Sequence, residues 1–259
     1  MRIGSPQAGN QTPISGFMRS GIGSPNAQSF VQGASASATS VTSNFSVTAG
    51  NVILLLLQTE STVASVGSVS VTDNLGTVYT AVANSIGNPA VNAIVYVGVL
   101  TQSGIVTITG TQGSSYARMT FTEMRGVSTT IDSQSSGYAA TSLSVTVSNS
   151  ASVIVGLVAN DHSATTFTAG TGYTIAVQGN GNDSSMIEYI VGAATGSNTV
   201  TFGYTGAGDD NSPFFALVFE TIPTSTSPGE DGDFYIDTST KRFWGPRLNG
   251  NYSAIGVLS

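Results

Sequence analysis

The chain has no cysteine, one tryptophan and one histidine, and only 8% of its 259 residues are charged, against about 25% in an average soluble protein. Without cysteine there is neither a disulfide framework nor a thiolate metal site, and cysteine usage carries no message about redox compartment. Stability has to come from burial and association. The formal net charge of −7 and a pI near 4.3 remove the basic footprint that a nucleic-acid partner requires. The longest apolar run, Val52 to Leu57, is far short of a membrane span, so no membrane insertion is expected. Met1-Arg2 is followed by Gly, Ser, Pro and Gln rather than the apolar core of a secretory signal. No phosphate loop, zinc spacing or nucleotide fingerprint occurs, and no cofactor is expected.

What the chain does have is a 40% apolar fraction, rich in the Val, Ile, Tyr and Phe that favour strands. Gly, Ser, Thr, Asn and Ala fill the surface positions. Short strands separated by turn clusters are expected at 41–47, 52–59, 66–72, 77–84, 91–100, 104–109, 116–125, 141–148, 152–160, 164–168, 172–178, 185–193, 198–204 and 214–221, the spacing of an all-β sandwich or barrel. Leu143-Ser144-Val145-Thr146-Val147 alternates like a half-exposed strand. Val52-Ile53-Leu54-Leu55-Leu56-Leu57 is apolar throughout, as a central strand buried on both faces would be.

Blocks of sequence recur in the same order. Phe45-Ser46-Val47-Thr48 and the Val52 run match Leu143-Ser144-Val145-Thr146 and Val153-Ile154-Val155. Gly76-Thr77-Val78-Tyr79-Thr80 matches Gly172-Tyr173-Thr174, the strand around Tyr96 matches that around Tyr189, and Ile105 to Ile108 matches Thr199 to Phe202. Finally, Met119 to Glu123 matches Ala216 to Glu220. The expected body is an antiparallel β-sandwich over 30–222, with repeated halves at about 41–125 and 141–221. Two consecutive domains or two Greek-key halves of one sandwich would both fit. The link from Arg125 to Thr141, lacking a Pro-rich or charged hinge and carrying Val127, Ile131 and Tyr138, favours one sandwich.

Residues 1–29 are Gly-, Ser-, Pro-, Gln- and Asn-rich, with isolated Ile3, Ile14, Phe17, Met18 and Ile22. They are either a floppy terminus or an extended arm whose spaced apolar anchors dock on a neighbour. At the other end, 223–259, Phe234, Ile236 and Thr238 alternate with Tyr235 and Asp237. Ser239-Thr240-Lys241 can turn the chain, and Phe243 and Trp244 start a return strand that Gly245-Pro246 stops. A lone hairpin is marginal in water, so this module, with Tyr252 and the closing Ile255-Gly256-Val257-Leu258, has to lean on the body or on copies of itself.

Candidate chemistry is sparse. Asp73-Asn74-Leu75-Gly76 reads as a hairpin turn. Asp209-Asp210-Asn211 is the best cluster of hard oxygens for a metal such as Ca²⁺, but it matches no EF-hand spacing, and a solvated loop explains it better. His162 follows Asp161, yet no Gly-x-Ser-x-Gly elbow frames any serine, so a hydrolytic triad is not supported. Glu60, Glu123, Glu188 and Glu220 fall on expected strands, where nothing brackets two of them as a glycosidase pair; cross-strand or edge positions that discourage aggregation account for them as well. Asn-rich loops such as Gly179-Asn180-Gly181-Asn182-Asp183 could hydrogen-bond a sugar or simply end hairpins.

Gly232-Asp233-Phe234-Tyr235-Ile236-Asp237-Thr238-Ser239-Thr240, with Phe243-Trp244-Gly245-Pro246, resembles a module common in bacteriophage tail fibres and collagen-like fibre proteins. Ala49-Gly50-Asn51, Ser70-Val71-Thr72-Asp73-Asn74-Leu75-Gly76-Thr77-Val78-Tyr79-Thr80 and Val95-Tyr96 resemble a jelly-roll-like sandwich of phage virion and bacterial surface proteins. The resemblance implies a non-enzymatic virion component, a short tail fibre or host-recognition protein, with a capsid decoration protein or a surface adhesin or carbohydrate-binding module as alternatives. It also implies a homotrimer, attached to other virion proteins through the arm (Ile3, Ile14, Phe17, Ile22), assembled through Phe234, Tyr235, Ile236, Phe243, Trp244 and Tyr252, with a host-surface glycan as ligand.

Overall fold

Strand β3 (Val52–Thr59) is buried at every position, which requires a sheet covered on both faces. The computed structural model describes residues 30–59, 69–85, 91–111, 117–138, 140–149, 152–160, 166–180, 183–205, 212–222, 235–237, 242–244 and 254–257. The chain divides into two units, Pro25–Ile222 and one formed by Met1–Ser24 with Pro223–Ser259.

Within the larger unit, β1 (Phe30–Ser37), β2 (Ser40–Val47), β3, β4 (Ser70–Asp73), β5 (Tyr79–Ser85), β6 (Asn92–Val99), β7 (Gly104–Thr111) and β8 (Ala117–Met124) form two sheets, ordered β1-β8-β3-β6-β5 and β2-β7-β4. Next come β9 (Val127–Tyr138), β10 (Ser142–Val147), β11 (Val153–Asn160), β12 (Thr166–Ala169), β13 (Thr174–Gly179), β14 (Ser184–Val191), β15 (Gly196–Thr205) and β16 (Pro213–Thr221). They form sheets ordered β13-β14-β11-β16-β9 and β10-β15-β12. Every ladder is antiparallel. Adding eight to each strand number of the first pair of sheets gives the second pair. Strands 1–8, 2–7 and 3–6 pair as in a jelly roll, except that β5 has crossed over to flank β6.

Three apolar cores follow from this layering. One lies inside the first sandwich, with Val41, Ile53, Leu55, Leu57, Ile108 and Phe121. Another lies inside the second, with Ile154, Val158, Phe167, Phe202, Phe214 and Val218. The middle core joins residues of both five-stranded sheets, Leu54, Leu56 and Val95 with Val155, Leu157, Ile187, Phe215 and Leu217. Alternate residues of β3 therefore serve different cores, and the body is a stack of four sheets with three, five, five and three strands.

The all-β sandwich expected from the strand pattern is present, but the favoured single sandwich gives way to two stacked ones. The physical reason is two strands that the sequence reading passed over. β1 (Phe-Val-Gln-Gly-Ala-Ser-Ala-Ser) and β9 are edge strands, rich in small residues and only partly buried, so they lack the apolar alternation that marks a strand. With them, each half has the eight strands a jelly roll needs. Asp73 to Gly76 is likewise not a hairpin, because β4 pairs with β7 and β5 with β6; the segment is a corner between sheets.

The second unit contains β17 (Tyr235–Asp237), β18 (Arg242–Trp244) and β19 (Ala254–Val257) in one antiparallel sheet. Tyr235 pairs with Trp244 and Ile236 with Phe243. The expected hairpin is joined by a third strand from the closing apolar segment.

Candidate functional site

Antiparallel strands give the body two ends, and the connections at the two ends differ. At one end the chain turns tightly, through Gly50, Gly76, Gly104, Gly126, Gly172, Gly192 and Gly196, all at positive φ, a conformation glycine adopts without steric cost. The chain also enters and leaves the body here. Phe30 lies opposite Met124, the last residue of β8, and the Ile222 amide donates to the Gly126 carbonyl at 2.6 Å. At the opposite end lie the strand termini that flank the body's three longest connections, Thr59 and Ser70, Ser85 and Asn92, and Thr205 and Pro213, together with shorter ones such as those from Ser37 to Ser40, Thr111 to Ala117, Tyr138 to Ser142 and Asn160 to Thr166.

Beneath that second end the two sandwiches are tied by polar bonds rather than by apolar packing alone. Gln58 Nε2 donates to the Asn160 carbonyl at 2.9 Å, and Asn160 Nδ2 donates to Ser212 Oγ at 2.8 Å. Arg118 is 3% exposed; its Nη1 donates to Ser35 Oγ at 3.1 Å and its Nη2 to the Asn180 carbonyl at 3.2 Å. Burial lowers the Arg118 pKa, and the nearby Asp183 carboxylate opposes that shift. Thr120 Oγ1 lies 2.5 Å from Ser185 Oγ, and the Tyr138 hydroxyl donates to the Val91 carbonyl at 2.7 Å. Each of these cross-bonds joins one sandwich to the other, apart from the Asn160–Ser212 and Arg118–Ser35 bonds, which extend the network within a sandwich. The strand ends of both halves thus form one hydrogen-bonded platform.

Segments 60–68, 161–165 and 206–211, which connect strand ends on this platform, carry Glu60, Asp161, His162, Asp209, Asp210 and Asn211. Those residues themselves lie outside the described ones, as do Ile3, Ile14, Phe17, Ile22, Phe234 and Tyr252. The topology brings the chain segments bearing the acids to one end, while Asp73 belongs to the other. There the Asp73 carboxylate accepts from the Leu75 amide at 2.9 Å, the Thr77 amide at 3.0 Å and the Tyr79 hydroxyl at 2.8 Å. Burial works to raise its pKa, but hydrogen bonds from Thr77, Tyr79 and Leu75 outweigh it and hold the carboxyl below its ordinary value. Asp73 is a corner anchor. Asn74 completes the corner as an extra strand residue, its side chain donating to the Ile105 carbonyl and accepting from the Thr107 amide.

Of the cross-strand and edge positions expected for the strand glutamates, the described ones take the cross-strand kind. Glu123, Glu188 and Glu220 lie on strands with neighbours on both sides, and Glu123 and Glu188 have no exposed surface. Glu123 accepts from Gln32 Nε2 at 2.7 Å, the Thr48 amide at 2.8 Å and Asn51 Nδ2 at 2.6 Å, locking β1 and the β2–β3 turn to β8. Glu188 faces the interior of the second sandwich, opposite Gly156 and Ile175. The ladders do not pair Glu123 with Glu188, and nothing in their surroundings sets them across a cleft. Among the described residues no group of three or more His, Asp or Glu is placed to hold a metal.

The platform residues Gln58, Arg118, Asn160 and Tyr138 were not singled out by sequence reasoning. One signal was available: Arg118 and Arg125 are the only Lys or Arg residues between 30 and 222, and so rare a cation in so uncharged a chain has a specific partner or a solvated position to explain it. No protein-family model, no curated protein and no solved structure matches this chain.

Proposed function

We propose that this protein is a non-enzymatic structural component of a tailed-phage virion, a short tail-fibre or host-recognition protein, held to the particle at one end and presenting loops at the other. The observation that carries the reading is the asymmetry of the body. Both chain connections leave from the glycine-turn end, and the body's three longest connections between strands, 60–69, 86–91 and 206–212, start and finish at the opposite end, where Gln58, Arg118, Asn160 and Tyr138 form the platform. Loops on a rigid scaffold are where binding surfaces are usually built, and the loop end of a β-sandwich is a frequent recognition face. These segments and 161–165 are rich in Ser and Gly and carry Asn88, Asp161, Asp209, Asp210 and Asn211, polar groups that suit a hydroxyl-rich ligand, and a host-surface glycan is the proposed one. The arm over 1–29 attaches the protein to other virion proteins, and the module at 223–259 holds a homotrimer together.

Replacing residues 206–211 by a Gly/Ser segment of equal length tests the recognition role. Particles assembled with this variant should adsorb to host cells about tenfold less well or worse, with an unchanged β-sheet circular dichroism spectrum. Unchanged adsorption, with similar results for segments 60–68 and 161–165, would overturn the role and leave a decoration protein as the reading.

A further inference from the structure

Glu188 stands where its surroundings have been hollowed out to receive it. In the first sandwich the corresponding centre of the sheet is filled by Leu55, Tyr96 and Phe121, which share one rung of the β8-β3-β6 ladders; in the second the same rung carries Gly156, Glu188 and Ala216. A Cβ on Gly156 would come within 2.8 Å of both Glu188 Oε1 and Val200 Cγ1. The carboxyl thus occupies volume that large side chains fill in the other half. Oε2 accepts one bond, from the Gly170 amide at 2.8 Å, and Oε1 has no hydrogen-bond partner among the described residues. Glu123, equally buried, has three donors. A carboxylate needs several donors to be stable in so apolar a place, whereas a protonated carboxyl does not.

We propose that Glu188 is a proton-controlled latch, closed when its carboxyl is neutral and released when it ionises, with the Gly170–Tyr173 turn as the part that moves. That turn holds Oε2 through the Gly170 amide and is closed by the Tyr173 amide donating to the Gly170 carbonyl at 3.0 Å. A Cβ on Gly170 would collide with the Thr201 carbonyl oxygen, so the turn is close-packed on β15 and an ionised Glu188 gains water by the turn lifting away. The groups facing the carboxyl are Gly156 of β11, Gly170 of the turn, Val200 of β15 and, across the β13 ladder, Ile175. Tyr173 is the titratable group that feels its charge. Burial, opposed only by the Gly170 amide, pushes the Glu188 carboxyl up to about 7, and burial together with Glu188 pushes Tyr173 up to about 12. Tyr173 therefore stays neutral while the latch works.

The test uses the intact protein. Carbon-13 NMR of the glutamate carboxyls in the wild type should show Glu188 titrating near neutrality, apart from the ordinary acidic range of exposed glutamates. Hydrogen exchange, corrected for intrinsic rates, should show the Gly170 and Tyr173 amides losing about tenfold or more protection between about pH 6 and about pH 8.5, while the Glu123 region does not change. In Glu188→Gln that pH response should vanish. A Glu188 carboxyl that titrates with the exposed glutamates, or a wild-type turn whose protection does not depend on pH, overturns the latch. The NMR titration needs no variant, so it decides even if Glu188→Gln fails to fold.

Discussion

Single residues in this protein carry consequences of opposite sign for pH. The Glu188 pKa is raised in the folded state from an ordinary 4.5 to about 7, so its contribution to stability is fully present below about 4.5 and is lost as pH rises to about 7, with no further loss above. Asp73 is lowered from 3.8, so its contribution is present above that value and is lost as pH falls below it. Urea unfolding as a function of pH should therefore find the greatest stability in mildly acidic solution, with Glu188→Gln flattening the alkaline side and Asp73→Asn the acidic side. A stability maximum at about pH 8 in the wild type would contradict the burial of Glu188. Gly156→Ala should cost about 1–3 kcal/mol, because its methyl meets Glu188 Oε1 and Val200 in a packed interior. None of this was legible in the sequence. Glu188 reads there as one acid on an otherwise apolar stretch of strand, and only the ladder register shows that its cross-strand neighbours are Gly156 and Ile175 rather than water. Asp73 was legible as a turn residue, though not as the anchor that ties Leu75, Thr77 and Tyr79 to a corner.

At the scale of strands, the unbroken run Val52 to Leu57 announced burial on both faces, and the structure supplies the second layer that explains it. Leu55 faces the core of the first sandwich and Leu56 faces the second sandwich. Leu55→Ala and Leu56→Ala, adjacent in sequence and on opposite faces, should each cost about 2–5 kcal/mol in urea denaturation. If Leu56→Ala were near neutral, the outer face of that sheet would be solvated and the four-layer stack would be wrong. The strands that escaped the sequence, β1 and β9, did so because an edge strand made of Ser, Gly, Ala and Thr has no apolar rhythm. Backbone ladders to β8 or β16, with a few side-chain bonds such as Gln32 to Glu123 and Tyr138 to Val91, hold it, and neither leaves an apolar rhythm in the sequence. The matching of blocks along the sequence differs in detail from the ladders. The ladders place Glu123 in register with Ile53 and Val218 with Ile154, so Glu123 corresponds to Val218 and not to Glu220. Matching by residue type follows local composition, whereas register follows which face each side chain must bury.

At the scale of the whole molecule, a four-layer body with both chain connections at one end is suited to standing on a surface by that end. The platform at the other end could not be read from the sequence, since its members, Gln58, Arg118, Asn160 and Tyr138, lie far apart in the chain and meet only when the two sandwiches stack. Removing residues 1–29 should leave the body folded, because its strands begin at Phe30, while incorporation into particles should fall to background when the protein content of purified virions is measured. Trp244→Ala, at a position paired with Tyr235 in the small C-terminal sheet, should weaken the proposed trimer about tenfold or more by light scattering and leave the body's melting temperature in place. The central claim is that this protein attaches by its glycine-turn end and displays its loop end, and a cryo-EM map of the particle that carries it tests this most directly. The expected result is density for the four-sheet body with Gly50, Gly126 and Ile222 toward the particle, and Gln58, Arg118 and Asn160 toward the outside. A body whose loop end is buried against the particle, or particles that contain no copy of the chain, would contradict it.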